Sequence, residues 1–175
     1  GSARLTTFGP LRGHPFEVGH QQIGERMKLG VLLNDPEEEH DCFADNTHNS
    51  HFYDALGIRN VYMGSYTRAD GSVVSGPSLS SLVAEVDPAL DAEMRGKLDA
   101  TMFEMIELKL AAEKGFSYDM MLERGNEAGE ALIMGAVDAL VDQTRSIERV
   151  VAALGVDAIE FEGSDSLDDP NAVFE

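Results

Sequence analysis

The chain has 175 residues, 43% of them apolar, which is enough for one domain with a real core and too apolar for wholesale disorder. Lys and Arg number 13 against 32 Asp and Glu, giving a formal charge of −19. That charge argues against a nucleic-acid partner, disfavours an anionic membrane surface and suits a soluble protein that meets cations. One cysteine, Cys42, cannot close an internal disulfide, and no run of eighteen apolar residues offers a membrane-spanning helix.

Residues 1–15 carry two prolines and three glycines with no period, and read as an extended lead-in. From about Glu17 to Leu33 the apolar residues Ile23, Met27 and Val31 recur every four positions, the signature of one helix face. In the next stretch Asp35 can cap, Pro36 suits a first helical position, and three glutamates suit the positive end of a helix dipole. The spacing therefore predicts a second helix from Pro36 to about Leu56, closed by Gly57. Residues 57–80, with four glycines and no helical period, read as a long loop in which Asp70-Gly71 turns a short hairpin.

A short helix follows, capped by Ser78 or Ser80. Asp87 and Pro88 then open a long one running to about Ala112. A last helical region spans roughly Ser117–Leu154, with softer points at Gly125 and Gly129. Residues 157–175 hold seven acids and no base, an acidic tail. The expected fold is all-α, an up-and-down helical bundle over residues 16–155.

Chemistry concentrates in EEEHDCFADNTHNSH, Glu37–His51, which holds three of the five histidines, five carboxylates and the cysteine. On an unbroken helical wheel His40, His51, Glu37, His48 and Asp41 fall within about 100° of one another, while Cys42, Phe52, Tyr53 and Leu56 lie on another side. Glu37 and His40 have the Glu-x-x-His spacing of carboxylate-bridged bundle sites, and Asp45 and His48 repeat it with Asp. Imidazole and carboxylate suit zinc, iron or manganese, so Glu37, His40 and His48 are candidate ligands of an iron or zinc ion. Residues eleven apart on a helix lie about 16 Å apart, so other helices would have to complete the shell. The alternative is a polar face hydrogen-bonded to its neighbours. Asp, Asn, Thr and Ser in DNTHNS compete for the backbone, and a break there would void the wheel. Cys42, among apolar neighbours on the wheel, reads as a buried, inert thiol.

The segment GERMKLGVLLNDPEEEHDCFADNTHNSHFYDALGIRNVYMGSY, followed by GPSLSSLVAEVDPALDAEM, resembles the C-terminal half of imelysin-like proteins, with the resemblance covering about residues 16–154. It implies an all-helical protein of two bundle domains meeting at a cleft, placed in the bacterial periplasm or anchored as an outer-membrane lipoprotein. It also implies a link to iron uptake, with metallopeptidase activity as the alternative and a structural interaction module as a third reading. The family's Gly-x-His-x-x-Glu hallmark belongs to an N-terminal half, the implied partner. His14 to Glu17 cannot replace it, because Arg12 stands at the glycine position. Carried over onto this chain, the cleft residues are Glu25, Arg26, Glu39, His40, Asp45, Asn46, Thr47 and His48. Arg26 would orient carboxylates, Asp45 and Asn46 would brace a helix break, and His40 and His48 would ligate an ion. The family block favours Glu39 over Glu37 as the acidic ligand, against the wheel.

Overall fold

A computed structural model of the protein describes residues 15–155, without the side chains of residues 15–22 and of Glu25. The lead-in, the His14 segment and the acidic tail lie outside the described residues. The described chain is a helical bundle: α1 (Pro15–Leu33), α2 (Thr47–Met63), α3 (Leu79–Val86), α4 (Pro88–Glu113), α5 (Tyr118–Leu122) and α6 (Glu127–Ala153), with one small antiparallel hairpin of β1 (Ser65–Thr67) and β2 (Val73–Ser75). The four long helices close a ring of contacts, α1 on α2, α2 on α4, α4 on α6 and α6 on α1. Inside it lie Ile23, Met27, Ile58, Tyr62, Met94, Leu98, Met105, Ile133 and Leu140. Among the described residues no helix is long and apolar enough to cross a membrane.

The caps read from sequence hold where their chemistry is local. Ser78 accepts the Ser81 N–H at 3.0 Å, and Asp87 accepts the N–H groups of Ala89 and Leu90 at 3.1 and 3.0 Å. The hairpin turns at Arg68–Ser72, with Gly71 at φ +82° and the Asp70 carboxylate taking the Ser72 N–H at 2.9 Å.

Three expectations give way. The helix expected from Pro36 to Leu56 is not continuous. A 3-10 turn at Pro36–Glu38 and a second at Cys42–Ala44 precede α2, which begins only at Thr47. The far end is also displaced. Gly57 does not close α2, which runs on to Met63 and stops at Gly64, so the connection starts seven residues later than expected. Gly64 sits at φ +59°, and a Cβ there would come within 2.7 Å of the Pro77 carbonyl oxygen, so both backbone and space demand glycine. Thirdly, the expected 117–154 region is two helices, broken at residues 123–126, where Gly125 takes φ +83°.

Gly57 is thus an exposed glycine in a helix interior, with nothing near the place of a Cβ. Gly57→Ala should stabilise the fold by about 0.5–1 kcal/mol, raising the thermal midpoint by roughly 2–4 °C. An unchanged or lowered midpoint would mean α2 does not pass straight through this position.

Candidate functional site

Residues 34–46 are held by local hydrogen bonds rather than by a helix. Asn34 and Asp45 take left-handed conformations, φ +50° and +47°, which their short polar side chains tolerate better than other non-glycine residues. Asp41 ties the segment to α2. Its N–H donates to the Thr47 hydroxyl at 2.8 Å, and its carboxylate accepts from Asn46 Nδ2 at 3.4 Å and the Ser50 hydroxyl at 3.3 Å. Asn46 caps α2 through its main-chain carbonyl, which accepts the N–H groups of Asn49 and Ser50. This polar run, unfavourable inside a helix, is satisfied by not being one.

The break turns Glu39 inward. The residue is 9% exposed and extended in backbone. Thr47 and Cys42 lie beside its carboxylate, yet its Oε2 is buried without a partner. Burial pushes the Glu39 carboxyl above the usual carboxylate range against the pull of Thr47 and Cys42, and the nearby Asp119 and Asp45 add to the rise.

α2 buries Thr47, His51, Ala55, Ile58 and Tyr62, a stripe of four- and three-residue steps. His51 is 1% exposed and its Nδ1 has no partner. Its ring lies 5.5 Å from that of His40 and 5.7 Å from that of Tyr118, between centroids. Desolvation, with His40 and Arg26 assisting, drives the His51 imidazole down to about 3, so it stays neutral. Tyr118, the first residue of α5, is 1% exposed, and its hydroxyl is likewise buried and unpaired. Burial and the Glu39 carboxylate hold its phenol well above the usual value.

His51 and Tyr118, ring beside ring, and Glu39, whose charge reaches Tyr118, thus each present one orphaned polar atom. Native interiors rarely tolerate this without an occupant or a function.

The residues named from sequence divide around this cluster. Glu39 and Thr47 are buried in it, with His40 exposed at its edge. Arg26 is exposed on α1 and its field reaches His51; the side chain of Glu25 lies outside the described residues. Glu37 is exposed on the first 3-10 turn. His48 faces elsewhere. Its Nε2 accepts from Asn49 Nδ2 at 3.1 Å, in a network in which Lys109 donates to Asn49 Oδ1 and pairs with Glu113 at 2.6 Å; its Nδ1 is buried and unpaired. Asp45 closes the second 3-10 turn through its N–H on the Cys42 carbonyl, and Asn46 stands at the start of α2.

The wheel's quadrant therefore does not exist. Glu37 and His48 stand on different elements, and His51, drawn on the polar face, lies on the buried one. Among the described residues no three His, Cys, Asp or Glu side chains converge closely enough to hold a metal ion. Cys42 is exposed rather than buried, because the 3-10 turn carries it outward. Desolvation and the carboxylates of Glu39, Glu37 and Asp119 push its thiol up, so it is a poor nucleophile.

Sequence reading passed over His51 as a buried group and Tyr118 altogether. His51 was legible in the Thr47-His51-Ala55-Ile58-Tyr62 spacing once the helix is carried past Gly57. Tyr118 reaches the cluster only by long-range folding.

Beside the cluster, His40, Asn46, Asn49, Ser50, Tyr53, Asp54 and Lys109 line an open groove of about 630 Å³. His40 belongs to both, its ring lying against buried His51 while it lines the groove.

The neutrality of His51 has a measurable consequence. Its folded value lies below its unfolded value of 6.5, so below that pH the unfolded chain takes up a proton that the folded state refuses. Stability is lost as pH falls from 6.5 toward about 3. Glu39, whose value is raised, acts in the opposite sense. The unfolded chain ionises first as pH rises above 4.5, so Glu39 weighs against stability at neutral pH. His51→Leu should therefore lose less stability than the wild type between pH 7 and 4.5 in urea titrations. Equal losses would place the imidazole in contact with water.

Among protein-family models, the one described as Peptidase_M75, imelysin, matches residues 19–147, which takes in most of α1, the broken segment, α2 to α5 and most of α6. No curated protein matches the chain.

Proposed function

Because the chain belongs to the imelysin family, we propose that it is the metal-handling half of a periplasmic or outer-membrane-anchored protein of bacterial iron acquisition. It would bind a metal ion or a metal-bearing ligand on the face formed by the groove and the Glu39–His51 cluster. An N-terminal imelysin-like bundle would close the other side of that cleft.

The observation that carries this reading is the pair of orphaned donors, Glu39 Oε2 and His51 Nδ1, buried beside an open polar groove. A neutral imidazole offers its lone pair without losing a proton first, and a desolvated carboxylate gains most from a cation. The bound ion would supply a positive centre in a pocket that otherwise leaves a carboxylate desolvated. Thr47 and Cys42 flank Glu39, and His40 stands between groove and cluster. Of the residues named from sequence, Glu39 and His40 would make the first contacts. Arg26, Asp45, Asn46 and Thr47 would position the cleft, while Glu37 and His48 would lie outside the first contacts.

Native mass spectrometry and calorimetry with ferric citrate and with zinc test this directly. The expected result is one metal per chain, lost in Glu39→Gln and His51→Ala and weakened in His40→Ala. Glu39→Gln should fold at least as well as the wild type, which separates loss of binding from loss of structure. Binding that is unchanged in both Glu39→Gln and His51→Ala would sink the assignment.

A further inference from the structure

We infer that Phe43 anchors a docking face for a protein partner, one that offers an apolar socket ringed by lysine and arginine. This holds whether or not the Glu39–His51 cluster takes a metal.

Phe43 is 109% exposed, so its ring lies against no other part of the chain. The next most exposed large apolar side chain among the described residues, Val73, is at 65% and keeps part of its surface on the fold. Scattered exposed apolar groups are ordinary on a folded protein. A phenylalanine standing clear of its own chain is not, because it forgoes all the gain that burial would bring.

The turn that carries it is hydrogen-bonded in place. The N–H groups of Ala44 and Asn46 donate to the Asp41 carbonyl, each at 3.3 Å, and that of Asp45 donates to the Cys42 carbonyl at 3.1 Å. The Asp41 N–H donates in turn to the Thr47 hydroxyl at 2.8 Å, which ties the turn to the first residue of α2. A ring held out in this way loses less freedom on docking than one on a loose loop. Aromatic side chains are enriched at protein interfaces, and the energetically dominant ones fill pockets near the centre.

Charge selects the partner. Residues 34–46 hold six acids and neither lysine nor arginine. Asp41 and Asp45 flank the turn in which Phe43 sits, and the charges of Glu39, Glu37 and Asp119 all reach the thiol of adjacent Cys42. The ring therefore stands in an acidic collar. A second copy would bring the same collar against it on a chain of formal charge −19, and an anionic membrane would be repelled in the same way. A basic rim around an apolar pocket complements both parts of the face. The charges steer encounter and orientation, and the ring supplies the hold.

An amino-β-cyclodextrin, whose apolar cavity is rimmed by ammonium groups, is the probe. Titrated into the full chain, it should bind one to one and shift the amide NMR signals of residues 41–46. Phe43→Ser should weaken that binding at least about tenfold, and neutral β-cyclodextrin should bind the wild type at least about tenfold less tightly than the charged host. Added salt should narrow the second gap. The thermal midpoint of Phe43→Ser should stay within about two degrees of wild type, since the ring supports nothing in the fold. A midpoint lowered by more than that, equal binding by Phe43→Ser, or equal binding of the neutral host overturns the inference. So does a dimer in sedimentation that Phe43→Ser dissolves, which would make a second copy the occupant.

Discussion

Replacing Asp91 by alanine should cost about 3–5 kcal/mol, among the largest losses available to one side chain in this fold. Asp91 is 9% exposed at the start of α4 and joins three helices. Its Oδ1 accepts the Tyr62 hydroxyl from α2 at 2.9 Å and the Ser80 hydroxyl from α3 at 2.6 Å; its Oδ2 meets Arg95 Nε at 3.2 Å. Arg95 also donates to the Ser80 oxygen at 3.0 Å. Truncation leaves the Tyr62 hydroxyl buried without its acceptor, and the penalty of an orphaned group exceeds the worth of the bond that satisfied it. Asp91→Asn keeps an acceptor and should lose less. Adding Tyr62→Phe to Asp91→Ala should recover part of the loss, because it removes the orphan; urea unfolding of the four proteins of that cycle measures the coupling. Strict additivity of the two substitutions would show that the network is not shared.

Gly129→Ala should be comparably severe, about 3 kcal/mol and on the order of 10 °C in thermal midpoint. The added Cβ would fall 2.8 Å from the Met121 carbonyl carbon and nearer still to its Cα and oxygen. These are backbone atoms and cannot swing aside. The helix would have to shift as a body, although the side chain is one that helices otherwise prefer. A midpoint within about two degrees of wild type would show that α5 does not lie against α6 as described.

The sequence made the helical class plain, because Ile23, Met27 and Val31, and later Leu90, Met94 and Leu98, carry the period of a helix in their own spacing. Caps at Ser78 and Asp87 were legible for the same reason: each is satisfied by its next few residues. The region around Glu39 was not. Its polar run is ambiguous between a poor helix and a good turn, and the choice is made by Asp41 bonding to Thr47 and Ser50, six and nine residues on. The end of α2 was misplaced because two glycines compete for it. What selects Gly64 is the approach of Pro77 and Ser78, which no local pattern encodes. The cluster suffered most. Glu39 came from family likeness rather than from the wheel, and Tyr118 lies 67 positions beyond His51, joined to it only by packing.

One consequence concerns time. Glu39 Oε2, His51 Nδ1 and the Tyr118 hydroxyl are sealed from solvent, so nothing arrives at them by diffusion alone. His51 and Tyr118 sit on helices clamped to the bundle. Glu39 sits on a segment held by single turns, whose opening costs least. Access of solvent to these three atoms would then be set by the breathing rate of residues 34–46.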